Sequence, residues 1–442
     1  MRNRSIPSAA AWLTLALAGA LTARAQDDVY PAKPYAGTLY IRNATIHVGN
    51  GDVIENGTIE VKAGKIVRVG RDLPAAAGAK VVDAAGQHAY PGLILSVSNI
   101  GLVEIPTVRA TSDVREIGDM NPSIRSIVAY NTDSKVTNTV RSNGILLANI
   151  VPDGGTISGS SSVVQLDAWN WEDAAYRMDG GIHFRMPSLF ARPSRFGGFG
   201  GMRGGAPEGD PVKRALEEIE GVKAYFREAK AYAAQPAGQE PNLKMEALRG
   251  LLERRQKFYI HCDVVKEILV ALDFVKEFGL DVVIVGGSES WQVADLLKRH
   301  NVPVILDQMH ALPTLGDDDV DQPYKTPAML HKAGVLFAIN DGDGQHRGKN
   351  LPFNAGTAAA YGLPREQALS AITLNAARIL GIADRTGSLE PGKDANIVLS
   401  RGDILDMRTS VVTHAFIQGR QLDLTDKHKQ LNERYMRKYG LQ

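Results

Sequence analysis

Imidazole and carboxylate side chains fall at the ends of several apolar runs of this chain. His261 ends the KFYIH of KFYIHC (257–262), Asp307 closes VPVILD (302–307) and Asp341 closes GVLFAIND (334–341). His183 stands in GGIHF, Asn99 ends GLILSVSN (92–99), and Glu289 and His310 follow other runs of this kind. An imidazole exchanges protons near neutral pH and offers nitrogen to a metal, and a carboxylate does both through oxygen. Three such ligands and a water are enough for one catalytic zinc. Without a metal, Asp341 and His261 would form an acid/base pair, with Asn99 and His310 left to hold a substrate. Asp341 opens DGDG, which is also good turn chemistry, and Asp343 is its near neighbour. The one cysteine, Cys262, forbids an internal disulfide and any Cys-rich zinc site. It alternates to the side opposite His261 and should pack as a small hydrophobe.

These residues need elements to carry them. Besides the four runs above, GILLANIV (144–151) and DVVIVGG (281–287) read as strands buried on both faces. They alternate with helix-like stretches at Val264–Phe278, Glu289–Arg299, Pro327–Lys332 and Pro364–Ile379, as a parallel barrel requires. A doubly wound open sheet would want a Gly-rich phosphate loop after a strand, and there is none. Residues 36–90 read as short strands with turns at Asn50-Gly51, Asn56-Gly57 and Ala63-Gly64, and 385–424 are strand-rich again. Neither block has enough strands to stand alone. The expected fold is α/β: a (β/α)8 TIM-like barrel over 91–384 and a small composite β-sandwich built from 36–90 plus 385–424. Residues 193–211, rich in Gly, Arg and Phe, read as a flexible loop.

Arg2 and Arg4 followed by the apolar run Ala9–Leu21 and Ala23-Arg24-Ala25 have the form of a secretory signal, with cleavage near Ala25. The expected location is the periplasm or outside the cell. Without the three arginines of residues 1–25, 50 basic residues become 47 against 49 acidic ones, so the balance is near −2. That gives no footprint for nucleic acid or an anionic membrane.

The segment PGLILSVSNIGL (91–102) resembles the first barrel strand of the amidohydrolase superfamily, which usually reads PGLIDxHxH. The likeness extends from TLYIRNATIHVGNG through KFYIHCDVVKEILVALDFVKEFGLDVVIVGGSESW to KNLPFNAGTAAAYGLPREQALSAITLNAARILGIADRTGSLEPGKDANIVLSRGD. It is similar above all to imidazolonepropionase-like secreted members. The resemblance implies a hydrolase acting on C–N bonds other than linear peptide bonds, with a metal at the barrel mouth. It implies that His261 is the strand-5 ligand, that Asp341 is the catalytic aspartate, and that His183 lies after the fourth strand near the place of a bridging lysine. The chain departs from the pattern at Val97 and Asn99, where the paired histidines belong, at Leu95, and at Gly286, where the strand-6 histidine belongs. A two-metal centre is therefore not expected. His183, His261 and Asp341 would hold one divalent metal such as zinc, or none. The alternative is an inactive homologue that binds a ligand or pairs with an active relative, as a homo- or hetero-oligomer. Otherwise the partner is a small-molecule substrate.

Overall fold

A computed structural model describes residues 30–189, 210–235, 241–307, 309–342 and 345–441. The signal-like residues 1–25, nearly all of the 193–211 loop, and Asp343 lie outside the described residues. Among the described residues, no helix is long and apolar enough to cross a membrane.

One sheet draws on both parts of the chain. Its strands are β1 (Thr38–His47), β2 (Val53–Lys62), β3 (Lys65–Gly70), β4 (Lys80–Asp83) and β5 (His88–Pro91), with three later ones described below. At Ala63-Gly64 both residues take positive φ, 49° and 79°, the twist a two-residue hairpin between β2 and β3 needs. Asn50-Gly51 also lies in the link between β1 and β2. Asn56-Gly57 does not form the turn expected of it: both residues lie inside β2, with Asn56 at φ 51° beside a register shift against β1. The left-handed residue is absorbed as a bulge because β1 continues alongside and keeps the strand paired.

The second sheet is a nearly closed barrel. Its strands are β6 (Leu93–Ser98), β7 (Ile145–Ile150), β8 (Ile157–Gln165), β9 (Ala175–Arg185), β10 (Lys257–Cys262), β11 (Val282–Gly286), β12 (Val304–Leu306) and β13 (Phe337–Ile339), hydrogen-bonded in that order. The six expected strands are found, all runs of mostly buried residues. Two strands were not anticipated, and they change the topology. β8 runs antiparallel to both β7 and β9, so the barrel departs from eight parallel βα units. Residues 151–156, which link β7 to β8, are too few for the crossover that a parallel neighbour demands. His183, expected after a strand, sits within β9.

After the barrel come β14 (Ile397–Ser400), β15 (Val412–Ile417) and β16 (Arg420–Gln421). β14 pairs antiparallel with β5, from Ile397↔Pro91 to Ser400↔His88, and joins the late strands to the early ones. Leu39, Ile41, Ile59, Ile397, Leu399 and Phe416 form the core they share.

Helices brace the strands that matter for the site. Helix Val265–Phe278 turns Ile268, Ala271, Leu272 and Phe274 inward and stops at Gly279 in the left-handed conformation, φ 69°. Phe274, with Phe226 of helix Pro211–Ala233, packs against Phe184 of β9 and Phe258 of β10, with ring centroids 5.1 to 5.9 Å apart. This aromatic block fixes β9 and β10 against each other.

Candidate active site

β8, β9 and β10 each contribute one polar side chain to a single buried line. In the ladder Tyr259 lies opposite His183, and His261 is two residues further along β10, on the same face and diagonal to His183. His183 Nδ1 and His261 Nε2 are 2.9 Å apart. The His183 ring lies flat on Tyr259, centroids 4.6 Å and planes 7° apart. Its Nε2 meets Ser161 Oγ of β8 at 2.8 Å. Gly181 makes room for this stack, since a Cβ there would strike the Tyr259 ring. Burial first, then the neighbouring His261, keeps the His183 pKa well below the usual imidazole range, and burial does the same for His261. Both rings are neutral at pH 7.

A cavity of about 650 Å³ opens at the C-terminal ends of β9 to β12. Its polar lining includes Arg185, His261, Asp263 and Asp307. This is the end of a barrel where active sites are built. Asp307 Oδ1 accepts a hydrogen bond from Asn340 Nδ2 at 2.6 Å, and its Oδ2 has no partner among the described residues. Burial, with the charges of Asp263 and Asp341, pushes its carboxyl up to about 6 against the pull of the Asn340 hydrogen bond. Gly342 is needed beside it, because a Cβ there would collide with both carboxylate oxygens. Arg185, ion-paired with Asp153 at 2.7 Å, is the cation of the lining.

Asn340 also closes the barrel. Its Oδ1 accepts from Ser96 N (2.9 Å) and Val97 N (3.1 Å), and its Nδ2 donates to Val97 O (2.9 Å). One side-chain amide thus stands in for the ladder missing between β13 and β6.

The other candidates are placed as follows. Asp341 is buried, with Oδ2 accepting from Asn354 Nδ2 at 3.2 Å and Arg347 Nε 3.9 Å from Oδ1, and it does not line the cavity. Asn99 is half-buried just past β6, its carbonyl accepting from Leu102 N. His310 is exposed, bonds Thr357 Oγ1 at 3.0 Å and does not line the cavity either. Glu289 begins the short 3-10 helix Ser290–Val293 as its N-cap, while its side chain caps the neighbouring helix, accepting from Val265 N at 2.8 Å. Cys262 is buried, and burial pushes its thiol well up. The residues that sequence reasoning passed over are Ser161, Arg185, Asp263 and Asn340. Asp307 carried a signal, a carboxylate closing an apolar strand, but was given no role.

These side chains do not fit a catalytic metal. Both ring nitrogens of His183 are taken up by His261 and Ser161. Val97 is buried and apolar. Gly286 takes φ 99°, and Asp263 Oδ1 lies 2.7 Å from where its Cβ would be, so the Asp263 carboxylate fills the space of a strand-6 ligand. Among the described residues, no three His, Cys, Asp or Glu side chains are grouped to hold a metal ion, so His183, His261 and Asp341 do not form the one-metal set expected of them.

A model of the amidohydrolase family matches residues 293–422. The chain is 24% identical over 394 residues to amidohydrolase tasK of Hapsidospora irregularis, an alignment covering 80% of this chain and 39% of that protein. It therefore spans about two-fifths of that relative's length. Among solved structures, an amidohydrolase from Thermotoga maritima MSB8 superposes with a TM-score of 0.73 at 25% identity, covering 87% of this chain and 99% of that one. An adenosine deaminase from Xanthomonas campestris with bound zinc shares the fold at a TM-score of 0.51 and 16% identity, covering 92% and 99%. Residues 293–422 match the amidohydrolase family, and over most of its length the chain is similar to proteins of the amidohydrolase superfamily.

Proposed function

We propose that the protein is an exported, imidazolonepropionase-like hydrolase that cleaves a C–N bond, other than a linear peptide bond, in a small molecule held at the barrel mouth. The observation that carries this reading is the polar cavity of about 650 Å³ into which Asp307 turns a carboxyl poised near pH 6. A carboxylate with that pKa exchanges protons at neutral pH. Asp307 takes a proton from water as the water oxygen bonds to the substrate's carbonyl carbon. The protonated carboxyl then gives that proton to the departing nitrogen as the C–N bond breaks, so one water is consumed and Asp307 is restored. No step runs through a metal. Asp341, behind the cavity, acts as a positioning residue, and its charge helps to hold the Asp307 pKa up.

The test is a panel of lactams, cyclic imides, N-acyl amino acids and linear dipeptides incubated with the purified chain, with products followed by chromatography. A cyclic or N-acyl substrate should be turned over, and Asp307→Asn should lose at least about a hundredfold in kcat while His310→Ala stays near wild type. Turnover that survives Asp307→Asn removes this mechanism.

A second reading is favoured by the Asp263 carboxylate filling the strand-6 ligand space: a non-catalytic homologue that binds its ligand at the same mouth and pairs with an active relative. Absence of turnover across the panel, together with co-purification of a related amidohydrolase, would select it. Export rests on the basic and apolar pattern of residues 1–25. N-terminal sequencing of periplasmic or secreted material should begin near Gln26, and a retained Met1 removes the proposal.

A further inference from the structure

The hydrogen bonds among Ser161, His183 and His261 have a direction. Ser161 is buried, and its hydroxyl meets no group but His183 Nε2 among the described residues. If His183 donated from Nε2, the hydroxyl proton would be left buried without an acceptor, whereas the reverse arrangement strands only an oxygen lone pair. The hydroxyl therefore donates, and His183 carries its proton on Nδ1. Only one proton fits between His183 Nδ1 and His261 Nε2 at 2.9 Å, so Nδ1 of His183 donates and Nε2 of His261 accepts. The neutral His261 then keeps its proton on Nδ1. That nitrogen has no partner among the described residues, is not a buried orphan, and belongs to a residue lining the cavity.

We infer that His261 is a fixed hydrogen-bond donor aimed into the mouth cavity, set by the Ser161–His183 wire to receive a carbonyl or carboxylate oxygen of the bound molecule. A preorganised neutral donor stabilises charge that develops on a carbonyl oxygen, the task a Lewis acid performs elsewhere. Ser161 and His183 are positioning residues, each on its own strand. His261, the residue that touches the ligand, sits where the family resemblance put a metal ligand, so the imidazole keeps its place and changes its role. The electrostatic part of this inference rests on the hydrolase reading; the proton positions do not.

The deciding measurement is long-range proton–nitrogen correlation NMR on the full mature protein labelled with nitrogen-15 histidine, the two rings assigned through His183→Gln and His261→Gln. Between pH 6.5 and 8 both should carry the proton on Nδ1. A His261 proton on Nε2, or loss of the Nδ1 proton on adding one equivalent of zinc chloride, overturns the proposal. Ser161→Ala should mix the His183 tautomers and Ser161→Thr should restore the single one; an unchanged spectrum in Ser161→Ala also overturns it. If the chain turns over a substrate, Ser161→Ala should lower kcat about tenfold with KM unmoved. If it turns over none, the hydrolase reading fails while the spectrum still decides the donor assignment.

Discussion

Asp307 and His183 are both buried titratable groups, and their linkage to folding has opposite sign. Asp307 has a folded pKa of about 6, above its ordinary 3.8, so the fold holds a proton that the unfolded chain releases in that interval. Its contribution is full below pH 4 and is lost as pH rises to 6, by up to about 3 kcal/mol at 1.36 kcal/mol per unit. Asp307→Asn should therefore gain stability over wild type as pH rises from 4 to 7, on the order of 2 kcal/mol, while losing activity. Urea melts of the two proteins across that range check it, and a pH-independent difference would contradict the assignment. His183 is depressed well below 6.5, so its contribution is present above pH 6.5 and is lost as pH falls. The acid side of the wild-type stability curve should flatten in His183→Gln.

At the level of elements, the join between β13 and β6 depends on one amide. Asn340→Leu would leave Ser96 N, Val97 N and Val97 O without their partner. At roughly 1–3 kcal/mol for each of these three buried groups left unsatisfied, the loss should be roughly 3–9 kcal/mol. A urea midpoint within experimental error of wild type would show that the barrel closes without it. The turn after β11 predicts a second result. Gly286→His meets both a left-handed φ and the Asp263 carboxylate, so a triple change with Val97→His and Asn99→His should still bind less than one zinc per chain by elemental analysis. Stoichiometric zinc in that variant would mean that the turn yields.

Across the whole molecule, the two ends of the chain depend on each other. We propose that 36–90 and 385–424 behave as one β-domain beside a barrel of 91–384. Ending the chain at residue 384 would remove Ile397, Leu399 and Phe416, fully buried side chains that stabilise by about 1.5–3 kcal/mol each. It would also bare the edge of β5 where β14 pairs. The truncated protein should be insoluble, and co-expression of 385–442 as a separate piece should recover soluble material. Soluble, cooperatively folding 26–384 on its own would refute the shared domain.

The features legible in the sequence are those that short stretches decide. Apolar runs bounded by turn residues gave six barrel strands, because a strand buried on both faces must be apolar almost throughout. Side-chain chemistry alone removed Val97 and Gly286 as metal ligands. β8 escaped because ISGSSSVVQ is half hydroxyl and glycine; its burial comes from its neighbours and not from its composition. The site itself is tertiary. Ser161, His183 and His261 meet through the register of three strands, which no local pattern encodes. Asp307, and not Asp341, reaches the cavity because Asn340 turns back to hold β6 and β12 at once. Asp263 blocks position 286 through a loop conformation that only the packed barrel imposes. Sequence set which groups were available for chemistry; packing decided which of them face the same space and in what protonation state, because both depend on burial and on distances between residues far apart in the chain.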